Sequence, residues 1–284
     1  MNEIKTNRQT YRPIIKKAAN HIVLTVLAFI FLIPFLGMVL TSLKPETEVL
    51  LLPIRIFGSR LAMENYQRAW TFFPFGQFLF NSVFIALCTS LVAVITSSMS
   101  GYAFSRLHFR GRDLLFTMYL GTLMIPQQVT VIPLFIIMRR FGWYDTYAAM
   151  VLPVGFTAFG TFLMRQFLLT IPYEIEDAAR IDGCGAVESF IRIILPMAKS
   201  SIATLLIFTF INSWKSFLWP LIITGSDRVK TLPLGIYMFN GQYGTDWSGL
   251  MSAASIAIIP SFLVFILFQK YLVKGITMTG LGGR

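Results

Sequence analysis

Six stretches of the chain, residues 22–43, 78–104, 114–138, 146–164, 200–223 and 247–269, are almost continuously apolar. Each is near the roughly 20 residues that a helix needs to cross the hydrocarbon layer of a bilayer. The apolar residues do not alternate with polar ones, which predicts helices rather than the ten-residue strands of a membrane barrel. Five stretches carry no formal charge, and the fifth along the chain carries one, Lys215. The pattern predicts an all-α membrane protein with six transmembrane helices. Proline interrupts five of the six, at Pro34, Pro126 and Pro133, Pro153, Pro220 and Pro260. Such breaks are tolerated in lipid where neighbours or water satisfy the freed carbonyls. Any single break fits ordinary kinking of a bundle, but breaks in five spans together suggest a bundle that encloses a pathway.

Composition agrees with the pattern. The 284 residues are 55% hydrophobic and 13% charged, with 27 Phe and 13 Met, where a soluble domain is about 25% charged. The net charge of +11 would suggest nucleic acid in a soluble protein. Here the charges sit in short loops, so they report topology and not a nucleic-acid partner. Residues 1–21 form a basic N-terminal segment (Lys5, Arg8, Arg12, Lys16, Lys17). Its charge order resembles a signal peptide, but the apolar run behind it is too long and no small-residue cleavage site follows, so 22–43 is expected to be a retained span. With the N-terminus inside, inner segments carry 15 of the 24 Lys and Arg and outer segments 8. The bias predicts both termini in the cytoplasm; Arg139–Arg140 is the exception. Cys88 and Cys184 lie far apart and His21 and His108 flank apolar stretches, so no disulfide framework or metal site follows.

The longest inner loop, 170–199, gathers five of the 13 acidic residues: Glu174, Glu176, Asp177, Asp182 and Glu188. Pro172 suits a first helical turn. Glu174, Glu176 and Asp177 sit at the positive end of the helix dipole. Glu176 and Arg180 have the favourable i,i+4 order. Ile175, Ala178, Ala179 and Ile181 supply a modest apolar surface, and Asp182-Gly183 ends the helix at a left-handed cap. A second short helix is expected after Gly185, with Val187, Phe190, Ile191 and Ile194 at helical spacing and Leu195-Pro196 at its end. Helices that lie on a membrane surface are usually basic toward anionic lipid; this one is acidic, which favours docking to a protein.

The spacing is specific. Asp177-Ala178-Ala179, three residues, Gly183, nine residues, Ile193, one residue and Leu195-Pro196 resembles the E-A-A motif of the permease subunits of binding-protein-dependent ABC importers. The one departure is Asp177, where the motif has Glu; Asp is one methylene shorter, so contact could shift toward Glu176. Further blocks are similar to the carbohydrate-type branch with its maltose-type six-span subunits: Ala179 to Gly183, Thr41-Ser42-Leu43-Lys44, Trp219-Pro220-Leu221, Gly244-Thr245-Asp246-Trp247 and Gly275-Ile276-Thr277 with Gly280 and Gly282-Gly283. The likeness spans nearly the whole chain. It implies one transporter domain over 22–284 in a bacterial cytoplasmic membrane. It implies that 170–199 is a coupling loop docking on a cytoplasmic ATPase through Glu174, Glu176, Asp177, Ala178, Ala179, Gly183, Leu195 and Pro196. It also implies a second, non-identical permease, an extracytoplasmic solute-binding protein and a sugar substrate.

The chain has no G-x-x-x-x-G-K-[ST] loop; Gly225-Ser226-Asp227-Arg228-Val229-Lys230 lacks the second glycine. It is therefore not expected to be an enzyme: ATP and Mg would sit on the partner ATPase, with no cofactor or metal in this chain. An ion-gradient-driven secondary transporter is the alternative, but that class usually embeds carboxylates or paired half-helices, and no acid lies in any apolar stretch. A membrane enzyme lacks its nucleophile, base and metal set.

A sugar route needs amides, hydroxyls and aromatic faces. Candidates are Asn81 with Ser82, Gln127, Gln128, Asn212, Trp214, Lys215 and Trp219. Gln127 and Gln128 could instead hold helices together, and Trp219 could belong to an interfacial belt. Lys215 is an embedded cation and so a functional candidate; the resembling family often has Asn there. It either snorkels, though Ile223 is about 12 Å away along a helix, or biases the route toward anionic solutes. Outer loops 44–77 and 224–246, with Trp70, Tyr237, Asn240, Gln242 and Tyr243, would meet the binding protein or stay solvated.

Overall fold

The computed structural model describes residues 3–53, 55–241 and 244–280, with side chains for Lys17 and for 20–53, 55–241 and 244–269. Gln242, Tyr243, Gly282 and Gly283 lie outside the described residues, as do the side chains of the basic segment apart from Lys17. In chain order the helices are α1 (Glu3–Ser42), α2 (Glu46–Val49), α3 (Glu64–Thr71), α4 (Phe75–Arg106), α5 (Arg112–Gly121), α6 (Gln127–Arg140), α7 (Tyr147–Gly155), α8 (Ala158–Leu168), α9 (Glu174–Ile181), α10 (Ala186–Ser189), α11 (Leu195–Met197), α12 (Lys199–Trp214), α13 (Leu218–Ile223), α14 (Leu232–Tyr237) and α15 (Trp247–Gly280). A two-residue hairpin, β1 (Asn240–Gly241) with β2 (Gly244–Thr245), precedes α15. A 3₁₀ turn (Thr122–Met124) follows α5, and a π-helical turn (Phe190–Ile194) joins α10 to α11.

Among the described residues three helices are long and apolar enough to cross a membrane: Asn20–Ser42, Phe75–Arg106 and Trp247–Gln269. Three further pairs qualify only as bent units: Arg112–Met124 with Gln127–Arg140 at 103°, Tyr147–Gly155 with Ala158–Leu168 at 43°, and Ala186–Met197 with Lys199–Trp214 at 77°. The expected span 114–138 is thus broken at Ile125-Pro126, where proline cannot continue the hydrogen-bond ladder. The expected span 200–223 is also two helices: α12 stops at Trp214, Lys215 caps it, and the six residues of α13 begin at Leu218.

The chain forms two compact units. The first comprises 1–71 and 239–256. Here two of the sequence blocks acquire structural roles. The end of α1 is held by Asn65, whose Nδ2 donates to the carbonyls of Ser42 and Lys44, both at 2.8 Å. The start of α15 is capped twice, because a helix leaves its first N–H groups without partners. Glu46 accepts from the N–H groups of Trp247 and Ser248, and Asp246 from that of Gly249. Arg68 pairs with Asp246 at 3.1 Å.

The second unit comprises 72–238 and 257–284. Helix α4 is its spine and packs against α7, α8 and α12. One buried cluster joins Ile85 of α4 to Val131, Ala149, Met150, Trp219 and Ile223. A second joins Tyr102 to Met164, Leu168, Ile171, Ile194 and Leu205. Small residues let α4 and α8 approach closely: a Cβ on Gly101 would lie 2.7 Å from Met164 Cβ and 3.0 Å from the Arg165 backbone nitrogen. Gly101→Leu is therefore expected to lower stability by about 1–3 kcal/mol through overpacking. A thermal melt of the detergent-purified protein reads this; an unchanged Tm would contradict the contact.

Candidate functional site

The inner segment folds as two short helical pieces around Gly183. α9 begins at Glu174 and ends with Asp182 and Gly183, the latter at φ +88°. The N–H of Gly183 donates to Arg180 O and that of Cys184 to Ala179 O, at 3.0 and 2.9 Å. These are the two bonds of a Schellman C-cap, and the left-handed residue is the expected glycine. The second piece runs from Ala186 through the π-helical turn to Met197. The piece ends at Met197, one residue beyond Leu195-Pro196, and α12 begins at Lys199.

The acidic face differs from expectation. Glu176 does not pair with Arg180. It is buried, and its Oε1 lies 3.0 Å from Arg106 Nε at the end of α4. Arg180 instead lies 3.4 Å from Asp177 on the surface. Arg106, two residues beyond the apolar stretch 78–104, is itself buried. Its Nη2 donates to the carbonyls of Leu168 and Ile171, both at 2.6 Å, and its guanidinium lies 4.2 Å from the Tyr173 ring centroid. Tyr102 Oη donates to Glu176 Oε2 at 3.3 Å, and Tyr173 Oη to Ser105 O at 3.0 Å. The Nε–Oε1 contact is off the axis of a hydrogen bond, and Arg106 Nη1 has no hydrogen-bond partner. The attraction is thus coulombic, strengthened by low local dielectric. Sequence reasoning missed this clamp; its only signal was an arginine directly after the apolar stretch of α4.

With Glu176 and Ala179 facing inward, the exposed side of the segment consists of Glu174, Asp177, Ala178, Arg180 and Ile181, then Val187, Ile191 and Pro196; Leu195 is half-buried. Ile181 is 87% exposed and Val187 71% exposed. Acids beside uncovered aliphatic side chains make a surface suited to a basic, partly apolar partner. Contact through Glu176, weighed as a substitute for Asp177, has no exposed carboxylate to make it; Asp177 does.

A cavity of about 450 Å³ lies in the second unit, between α4, α6, α7, α12 and α13. Gln127, Gln128, Asn212 and Lys215 line it, together with Ser213 and Ser216. Five of the residues expected on a solute route, Ser82 among them, thus come together. Trp219 reaches the wall, but it is 2% exposed and its Nε1 donates to Ala149 O at 3.0 Å, which makes it a core residue. Trp214 is buried against Phe210 and donates to Ala257 O at 3.2 Å, away from the lining. Asn81 is fully buried: its Nδ2 donates to the carbonyls of Arg228 and Lys230, and its Oδ1 accepts from Tyr147 Oη. Its hydrogen-bonding capacity is spent on holding the 228–232 loop. Ser82 accepts from Leu232 N–H in the same loop.

Asp145 pins the other end of that loop. Burial pushes its carboxyl upward, but the Ser226 hydroxyl, the N–H groups of Ser226 and Gly225, and the Arg228 charge outweigh this and hold it below the usual carboxylate value. Of the outer-loop candidates, Trp70, Tyr237 and Asn240 are exposed.

The sequence profile described as "Binding-protein-dependent transport system inner membrane component" matches residues 93–278, a range that contains the Arg106–Glu176 clamp and most of the cavity. The chain is 35% identical over 90% of its length, and 93% of the other protein, to the arabinooligosaccharides transport system permease protein AraQ of Halalkalibacterium halodurans. It is 32% identical over 90% of its length, and 94% of the other, to the sn-glycerol-3-phosphate transport system permease protein UgpE of Yersinia enterocolitica. The fold is similar to a chain in the crystal structure of a bacterial ABC transporter involved in the import of the acidic polysaccharide alginate. That match has a TM-score of 0.77 and 21% identity, and covers 90% of this chain and 96% of that one. With two thirds of its length inside the profile and full-length permease relatives on both sides, this chain belongs to the family of binding-protein-dependent transport system inner membrane components.

Proposed function

We propose that this chain is the permease subunit of an ABC importer that moves a sugar or sugar-like solute across the cytoplasmic membrane by alternating access. The transporter domain is 22–284, preceded by the basic segment 1–21. It crosses the membrane six times, at about 22–43, 78–104, 114–138, 146–164, 200–223 and 247–269, with both termini and the 170–199 loop inside. The excess of Lys and Arg in the inner segments supports that orientation. The chain pairs with a second, non-identical permease. Two cytoplasmic ATPase subunits hold ATP and Mg, and a binding protein outside delivers the solute. The names of the similar permeases, which carry an arabino-oligosaccharide and a glycerol phosphate, support the solute class.

The observation that carries the reading is the construction of α9. Its outer side offers Glu174, Asp177 and Ala178, while its inner side is bound to the end of α4 through Glu176 and Arg106. An ATPase that seats on the outer side and moves would drag α4, the spine of the second unit. Sugar reaches the cavity of Gln127, Gln128 and Asn212 when the spans open outward.

The test is purification of the tagged chain from its own membrane with ATPase subunits attached, followed by ATP-dependent solute uptake in proteoliposomes. Asp177→Lys is expected to release the ATPase, since it reverses the exposed charge. If no ATPase co-purifies and an ion gradient alone drives uptake, the reading gives way to secondary transport.

A further inference from the structure

We infer that the cavity beside Lys215 selects an anionic solute, a sugar or sugar-like molecule bearing a carboxylate, phosphate or sulfonate, and that Lys215 sets this selectivity. The inference rests on the reading of the cavity as part of a solute route.

Three observations combine. The first is position. Lys215 is not in the middle of a lipid-facing helix: α12 ends at Trp214, Lys215 follows as its cap, and the side chain is exposed and lines the cavity. The carbonyl end of a helix favours a cation, which explains how the charge is tolerated there. It does not neutralise a full positive charge.

The second is the absence of a counter-charge. Among the described residues Lys215 makes no ion pair, and no acidic residue lines the cavity. A lysine kept for packing or helix association would normally be paired with a carboxylate. This one is left open toward a space of about 450 Å³, inside the usual range of about 300–1,000 Å³ for small-molecule sites.

The third is the chemistry of the remaining lining. Gln127, Gln128 and Asn212 offer amides, and Ser213 and Ser216 offer hydroxyls. All are neutral and all can both donate and accept. They suit the hydroxyl groups of a polyol. Only Lys215 adds a net charge, and a charged group within low-dielectric walls concentrates its field on the space in front of it. A neutral polyol would use the amides and hydroxyls and leave the ammonium without a partner. An anionic polyol would use both.

The test reads the charge of the cavity in the complete transporter without presupposing the solute. Cys88 and Cys184 are replaced by serine, and Ser216→Cys serves as reporter. Its labelling rates with the anionic 2-sulfonatoethyl and the cationic 2-(trimethylammonio)ethyl methanethiosulfonates are each normalised to those of a free thiol. At low ionic strength the anionic reagent is expected to be favoured, and Lys215→Gln to reduce the ratio by about fivefold or more. Raising the salt should shrink the preference. Thr209→Cys, also on the lining, is the second reporter.

A ratio near that of the free thiol, unchanged by Lys215→Gln, overturns the inference. It would mean that a carboxylate from elsewhere in the transporter cancels the lysine, and it leaves the importer reading standing. Two unreactive reporters also overturn it, because a sugar-sized solute could not then reach Lys215. A Lys215-dependent preference in a complex that binds no ATPase would keep the site and remove the importer reading instead.

Discussion

Glu176→Ala is expected to destabilise the protein by about 3–5 kcal/mol, because it leaves Arg106 as a buried cation without its counter-ion. Arg106 is 3% exposed, so water cannot replace the lost carboxylate. Its two carbonyl acceptors on Leu168 and Ile171 remain, but they carry no net charge. Asp177→Ala, one position along on the open side of α9, removes a carboxylate whose ion pair with Arg180 is exposed. Exposed pairs contribute about 0–1 kcal/mol, so its melt should nearly overlay that of the wild type. The contrast separates burial from sequence position, since both residues are acids in the same helical turn. The double variant Arg106→Met with Glu176→Leu removes both charges together. It is expected to recover most of the loss, as replacing a whole buried pair by apolar side chains often does. Chemical denaturation in detergent of the wild type, Arg106→Met, Glu176→Leu and the double variant forms a double-mutant cycle. A coupling energy near zero would show that Arg106 and Glu176 do not sense each other.

The clamp also shows which parts of the molecule could be read from the chain and which could not. Continuous apolar stretches are visible in any window, so all six helical regions were legible. Proline marked the break at Pro126, but Pro34, Pro133, Pro153 and Pro260 lie inside helices that continue past them, so four of the expected interruptions are not breaks. The break after Trp214 was not legible: Ser213, Lys215 and Ser216 sit inside a strongly apolar run, and average hydropathy conceals a local stop. Gly183 was legible because its role depends on its own backbone. Glu176 was assigned the wrong partner because sequence spacing reveals only local neighbours. Arg180 is four residues away and Arg106 seventy, and the fold chose the distant one. Asn81 and Trp219 were placed on the solute route because polar atoms in an apolar helix need a reason. The fold supplies a different one, since their hydrogen bonds satisfy carbonyls of Arg228, Lys230 and Ala149. Gln127, Gln128, Asn212 and Lys215 have no such demand on them, and they meet in the cavity beside Ser82 and the wall made by Trp219.

Gly183→Val is expected to abolish solute uptake while ATP hydrolysis continues, whereas Gly183→Asn should retain both. The prediction isolates backbone conformation, because a Cβ at Gly183 would meet no heavy atom within 4 Å. Space is therefore available for either side chain. What valine lacks is access to φ +88°: a β-branched residue in the left-handed region costs about 1–3 kcal/mol, while asparagine visits it routinely. Valine would relax that strain by unwinding the cap, giving up the bonds from Gly183 N–H to Arg180 O and from Cys184 N–H to Ala179 O. α9 would stay clamped to α4 through Glu176, but its angle to the following 186–197 piece would no longer be fixed. An ATPase seated on α9 could then close without moving α12, which follows that piece directly. Uptake and phosphate release measured in the same proteoliposomes read the two activities together. Wild-type transport by Gly183→Val would show that the elbow transmits nothing. Equal failure of Gly183→Val and Gly183→Asn would show that the ATPase needs a bare glycine surface there, not a left-handed turn.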